Sequence, residues 1–168
     1  MKRIGLLLTA VLLVQVGAVF AQAPKTSATV DEIVKSLAPT QAPTTRSLGR
    51  NLVPEVKSID LVIQFDFDSA KLQDVSKPLL DGLAQALNTD RLRALDFKVE
   101  GHTDAKGTPE YNQNLSAHRA NTVVAYLVLR GVERSRLIAE GKGFSDLLTP
   151  QDPYATVNRR VRITTQSK

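Results

Sequence analysis

Cysteine is absent from all 168 residues, and that removes several chemistries at once. No disulfide can form, no thiolate can hold a metal, and no N-terminal cysteine can carry a lipid. Histidine is scarce as well: His102 and His118 are the only two, and a zinc site normally takes three or four protein ligands. No Lys/Arg run is interleaved with aromatics, and the formal charge of +5 does not mark a nucleic-acid binder once it is divided by region. Residues 24–57 carry five basic and three acidic groups and residues 58–168 carry fifteen against fourteen, so the body of the chain is close to neutral. There is no internal repeat.

The one long apolar run stands at the start. Lys2 and Arg3 precede residues 4–20, which close on small residues, the pattern of a secretory signal peptide over residues 1–21. Cleavage is expected after Ala21, with Ala23 the alternative that leaves Pro24 beside the cut. Read instead as a retained anchor, the run is short for a span and contains Gln15 and Gly17. Export is therefore expected, with no transmembrane segment once the signal is removed.

Residues 22–57 shift to Pro, Thr, Ser and Ala and read as a linker. Within it Val30, Ile33, Val34 and Leu37 fall at helical spacing, with Thr29 or Asp31 as the cap, which predicts a short helix that either fluctuates or docks on a partner. From residue 58 the periodicity alternates in kind. Period-two patterns over 59–66, 95–100, 138–144 and 160–165 predict strands, and helical stripes over 74–88 and 109–130 predict helices. The order βαβαββ predicts an α/β chain of the α+β type, a two-layer sandwich with helices packed on a mixed four-stranded sheet. The 42% hydrophobic content is enough for such a core.

Polar residues concentrate between Phe97 and Val124. Asp104 follows a Gly-His-Thr turn at a strand exit, and Arg119 lies fifteen residues on, inside the next helix. On two walls of one shallow pocket they suit a zwitterion, its ammonium on Asp104 and its carboxylate in the bidentate fork that Arg offers. The same spacing allows a plain salt bridge between the two that merely ties loop to helix. Glu100, His102, Asp104 and His118 are too sparse for catalysis or metal binding, and Ser116 and His118, two apart on a helix, point to different sides. Neither enzyme activity nor a cofactor is expected.

The run G-H-T-D-A-K-G-T-P-E-Y-N-Q-N-L-S-A-H-R-A-N-T-V, with F-D-F-D-S-A-K-L upstream and N-R-R-V downstream, resembles the OmpA-like peptidoglycan-binding domain family across 58–168. That resemblance implies non-covalent binding of peptidoglycan through the meso-diaminopimelate of the stem peptide. Asp104 would take its ammonium and Arg119 its carboxylate. Phe67 and Asp68 would line the pocket from a strand end, Leu115 would lie beside the arginine, and Asn112 and Arg159 would stand near the site in a binding or structural role. It further implies a Gram-negative periplasmic protein held at the cell wall and associated with the outer membrane; the Val30, Ile33, Val34, Leu37 stripe alone, not the resemblance, motivates the expectation that residues 22–57 dock on an outer-membrane or other envelope protein. The rival expectation is an adaptor between envelope proteins for which wall binding is secondary.

Overall fold

The computed structural model describes residues 23–39 and 56–166; the expected signal peptide and residues 40–55 of the expected linker lie outside the described residues. Four strands, β1 (Ser58–Leu61), β2 (Asp96–His102), β3 (Leu137–Gly143) and β4 (Val161–Gln166), form one sheet in the order β1-β4-β2-β3. β4 runs antiparallel to both neighbours while β2 and β3 are parallel, so the sheet is mixed, as the element order predicts. Helices α1 (Val30–Leu37), α2 (Lys77–Leu87) and α3 (Pro109–Leu129) share one apolar core with it.

Strand alternation sorts the two faces. Phe97 and Val99 of β2, Leu137 of β3 and Ile163 of β4 enter the core, while Lys98, Glu100, Glu140, Lys142 and Arg162 take the opposite face. There Lys98 and Lys142 lie between Glu100 and Glu140 at 2.6 to 3.6 Å.

α3 is placed by its own sequence. Thr108 caps it by accepting from the Tyr111 N–H at 3.2 Å, Pro109 opens the first turn, and Gly131, at φ 87°, supplies the left-handed residue after its end. Its buried stripe runs Asn112, Ser116, Ala120, Val123, Val124, Leu127: small and polar in the first half, aliphatic in the second. The first half lies almost in backbone contact with the sheet. Gly101 and Gly141 are register partners on β2 and β3, and a Cβ on either would sit 2.2 Å from the Ser116 carbonyl oxygen or 2.6 Å from Gln113 O and Ala117 N. Ser116, fully buried, donates to Gln113 O and accepts from the Gly143 N–H, both at 2.9 Å, while Gln113 Nε2 donates to Gly141 O at 2.8 Å.

Three expectations need correction. The first strand stops at Leu61 instead of reaching residue 66, because its partner β4 begins at Val161, opposite Leu61. The chain then makes a loop closed by the Phe65–Leu72 bridge, so Phe67 and Asp68 lie on a loop and not at a strand end. The second helix is preceded by a 3-10 turn over Asp74–Ser76, with Pro78 in the first turn of α2. Most consequential is the stripe at the N-terminus. α1, closed by a Thr29–Glu32 capping box, turns Ile33, Val34 and Leu37 into the domain's own core against α2 and β1. Just before it, Lys25 adds a parallel bridge to the outer edge of β1, donating to Asp60 O at 2.9 Å and accepting from the Val62 N–H at 2.8 Å. The apolar face read as free for a partner is occupied at home.

Truncating a fully buried aliphatic side chain there should cost what a core truncation costs. Ile33→Ala is expected to lower stability by about 2–4 kcal/mol in urea unfolding; a change near zero would return this helix to a linker role.

Candidate functional site

Three loops meet beyond the ends of β2 and β3. The first, residues 103–108, leaves β2 with the Thr103 N–H on Gly143 O at 2.8 Å and the Ala105 N–H on Pro153 O at 3.0 Å. Asp104 Oδ1 accepts from the Lys106 N–H at 3.1 Å, an Asx-type turn. Beneath the loop, Asn112 is buried and spends its amide on Lys106 O at 2.9 Å and Thr108 O at 3.1 Å. Asn112 is thus the strut that fixes the Asp104 loop to α3, and its donors are not turned to a ligand.

The second loop carries Phe67 and Asp68. Asp68 adopts a left-handed backbone, φ 51°, unusual for a residue with a Cβ, and Phe67 is 96% exposed. Arg119 reaches this loop from α3: its Nε donates to Ser69 O at 3.0 Å, and its guanidinium lies 5.1 Å from the centroid of the Phe65 ring. Leu115, one turn earlier on α3, is half-buried. Burial, above all, and the charge of Arg159 push the Arg119 guanidinium below its ordinary value, against the pull of Asp104 and Asp68. It remains charged throughout the physiological range.

The third loop connects β3 to β4. Arg159 Nη1 donates to Asp104 Oδ2 at 2.7 Å, and its Nη2 donates to Thr156 Oγ1 at 3.0 Å. The salt bridge of Asp104 is therefore made with Arg159, not with Arg119. Among the described residues no carboxylate forms an ion pair with Arg119, although Asp104, Asp68 and Arg159 all lie within its electrostatic reach. Arg160 turns the other way. It is buried and ties Asp60 at 3.0 Å to Asp146 at 3.3 Å on the far side of the sheet.

Asp104, Arg119, Asp68 and Arg159 are thus brought together as two acids and two guanidiniums, with Phe67 on the rim. Sequence reasoning missed the backbone oxygen of Ser69 and the ring of Phe65, which hold Arg119 in place. A carbonyl carries no side-chain signature, but the Phe65 position was visible in F-D-F-D. Such a constellation offers charge of both signs, complementary to an ammonium and a carboxylate presented on one small group. Among the described residues no cluster of His, Asp or Glu is arranged to hold a metal ion.

His102 does not join this group. It is buried at the end of β2, and among the described residues neither ring nitrogen has a hydrogen-bond partner; nor has the adjacent Thr103 hydroxyl. Burial, reinforced by Arg160 and Arg162 and opposed by Asp146 and Asp60, lowers its pKa to about 4. At neutral pH it is an uncharged packing residue. His118 is exposed on α3.

Comparison with known proteins agrees with this architecture. Residues 64–162, more than half of the chain, match the OmpA family. An outer membrane protein A of Bordetella avium is 43% identical over 82 residues, covering 47% of this chain and 40% of that protein. An outer membrane porin F of Pseudomonas aeruginosa is 40% identical over 119 residues, covering 67% of this chain and 33% of that protein. The chain thus spans well under two thirds of these curated relatives. Among solved structures, the peptidoglycan-associated lipoprotein of Burkholderia pseudomallei aligns with TM-score 0.53 and 33% identity, over 62% of this chain and 88% of that one. The cell wall anchor of the T6SS from Pseudomonas aeruginosa aligns with TM-score 0.55 and 27% identity, over 67% and 82%. Among the described residues no helix is long and apolar enough to cross a membrane.

The orphan imidazole gives the fold a pH signature. The unfolded chain binds this proton near 6.5 and the folded chain near 4, so between those values the unfolded state holds more protons and stability falls as the pH is lowered. The full loss, reached at the lower end, is on the order of 3 kcal/mol. In urea unfolding at pH 7 and pH 4.5, His102→Leu is expected to lose less stability on acidification than the wild type; equal losses would mean that His102 does not carry the effect.

Proposed function

The chain belongs to the OmpA family, and on that premise we propose that it binds peptidoglycan non-covalently and serves as a cell-wall anchor in the periplasm. The ligand is the free zwitterionic end of meso-diaminopimelate in the stem peptide. Its carboxylate meets Arg119 and its ammonium meets Asp104, with Asp68 and Phe67 on the near wall and Arg159 sharing Asp104. One observation carries this reading: Arg119 is half-buried, held by Ser69 O and the Phe65 ring, and among the described residues has no carboxylate in ion-pair contact. A desolvated guanidinium fixed in that way gains from an anion that brings its own counter-charge. Two solved relatives, a peptidoglycan-associated lipoprotein and a cell wall anchor, support the same direction.

A competing adaptor role finds no free apolar stripe on α1, whose buried face packs on α2. A single exposed site of this kind binds weakly, since partly solvated charge pairs contribute about 1 kcal/mol or less each. Retention at the wall then comes from the repetition of stems, which raises the local concentration of ligand.

Co-sedimentation with purified sacculi tests the reading. Asp104→Ala and Arg119→Ala are each expected to lower the bound fraction about ten-fold, the equivalent of one charge-assisted contact, with native circular dichroism. Sacculi amidated on the diaminopimelate carboxylate should behave towards the wild type as untreated sacculi do towards Arg119→Ala. Unchanged sedimentation of both variants would remove the mechanism.

A further inference from the structure

Of the large apolar side chains exposed on this domain, three stand on the loops that carry the charged cluster: Phe67 on the loop of Asp68, and Tyr154 and Val157 on the turn bonded to the Asp104 loop. The turn is the more unusual. Tyr154 is 66% exposed, yet its loop is braced from within by the fully buried Asn158. Asn158 Oδ1 accepts from the Thr149 N–H at 3.1 Å, and its Nδ2 donates to Asp152 O at 3.0 Å and Pro153 O at 3.2 Å. A phenol ring held out in water on a braced turn keeps its apolar face and polar tip available to a ligand bound beside it.

The same turn is joined to the acid of the pocket. The Ala105 N–H bonds Pro153 O, one residue before Tyr154, and Arg159 links Asp104 to the Thr156 hydroxyl, one residue before Val157. Tyr154, Val157 and Asp104 therefore belong to one hydrogen-bonded unit. In the wall polymer, diaminopimelate is separated from the sugar by two residues and a lactyl ether, a reach of roughly 7 Å or more along an extended chain. That reach is long enough for a stem seated on Asp104 to present its glycan to the neighbouring loop. A pyranose has an apolar C–H face and a hydroxyl rim, which suits a tyrosine with its apolar ring and polar tip. Asp152 beside it disfavours an anionic lipid headgroup at the same place.

We propose that Tyr154, flanked by Val157, is a platform for a pyranose ring of the glycan strand, so that the domain reads sugar and stem peptide together. This rests on the stem-peptide reading above. The test is calorimetric titration of the full-length protein with two probes: a free stem tetrapeptide containing meso-diaminopimelate, and the same tetrapeptide attached to its disaccharide. Wild type is expected to bind the disaccharide probe about five-fold more tightly, the scale of one aromatic contact. Tyr154→Ala should bring the two affinities to within about two-fold of each other while leaving the free peptide unaffected, and Tyr154→Phe should keep most of the preference. Equal affinities in the wild type, or an equal loss for both probes in Tyr154→Ala, would overturn the platform and leave the stem-peptide site standing. Failure of the wild type to bind either probe would overturn the stem-peptide reading and the platform with it.

Discussion

The near-contact of α3 with the sheet at Gly101 and Gly141 governs the geometry of everything beyond it. Two strands that lie side by side both lack a side chain at the point where the helix crosses, and the backbone of Gln113, Ser116 and Ala117 fills the space. Because the fit is backbone to backbone, it has little tolerance: an added methyl group at either glycine would have to displace a helix, not a rotamer. Ser116 and Gln113 then pin the helix to the end of β3. One turn of α3 beyond the glycine pair stands Arg119, and one residue beyond the end of β2 stands Thr103, followed by Asp104. Acid and guanidinium project from the two elements that this contact fixes to each other.

The charge arrangement follows from how each side chain is restrained. Asp104 is held by its own turn and by Arg159; Arg119 is held by a carbonyl and an aromatic ring. Restraint through uncharged groups keeps a guanidinium oriented without neutralising it, and half-burial strips part of its hydration. On the opposite face of the sheet the same residue types behave differently. Arg160 and Arg162 are satisfied by Asp60 and Asp146, and they serve the packing of β4 against β1.

The element types and their order were readable because the strands alternate and α3 keeps a helical stripe, both properties of the local sequence. Asp104 and Arg119 were readable as polar residues grouped near a strand exit. What was not readable depended on contacts distant in sequence. Nothing local to residues 59–66 states that β4 starts opposite Leu61, so the loop bearing Phe67 looked like more strand. Asn112 stood open between a binding and a structural role, because the loop carbonyls it holds leave no local sign. The Val30, Ile33, Val34, Leu37 stripe was recognised as apolar and helical, yet an eight-residue helix in a Pro- and Thr-rich stretch carries no sign of which surface will cover it. That surface proved to be α2, dozens of residues downstream.

The same N-terminal arm separates two boundaries that are easily taken for one. The match to the OmpA family opens at residue 64, whereas the packed body already includes Lys25 along the rim of the sheet and α1 wedged against α2. A fragment cut to residues 64–162 would forfeit β1 and all but the first two residues of β4, bare the rim of β2, and leave greasy surface on α2, conditions that invite self-association. The stretch that the family pattern covers is smaller than the piece of chain that shares one core.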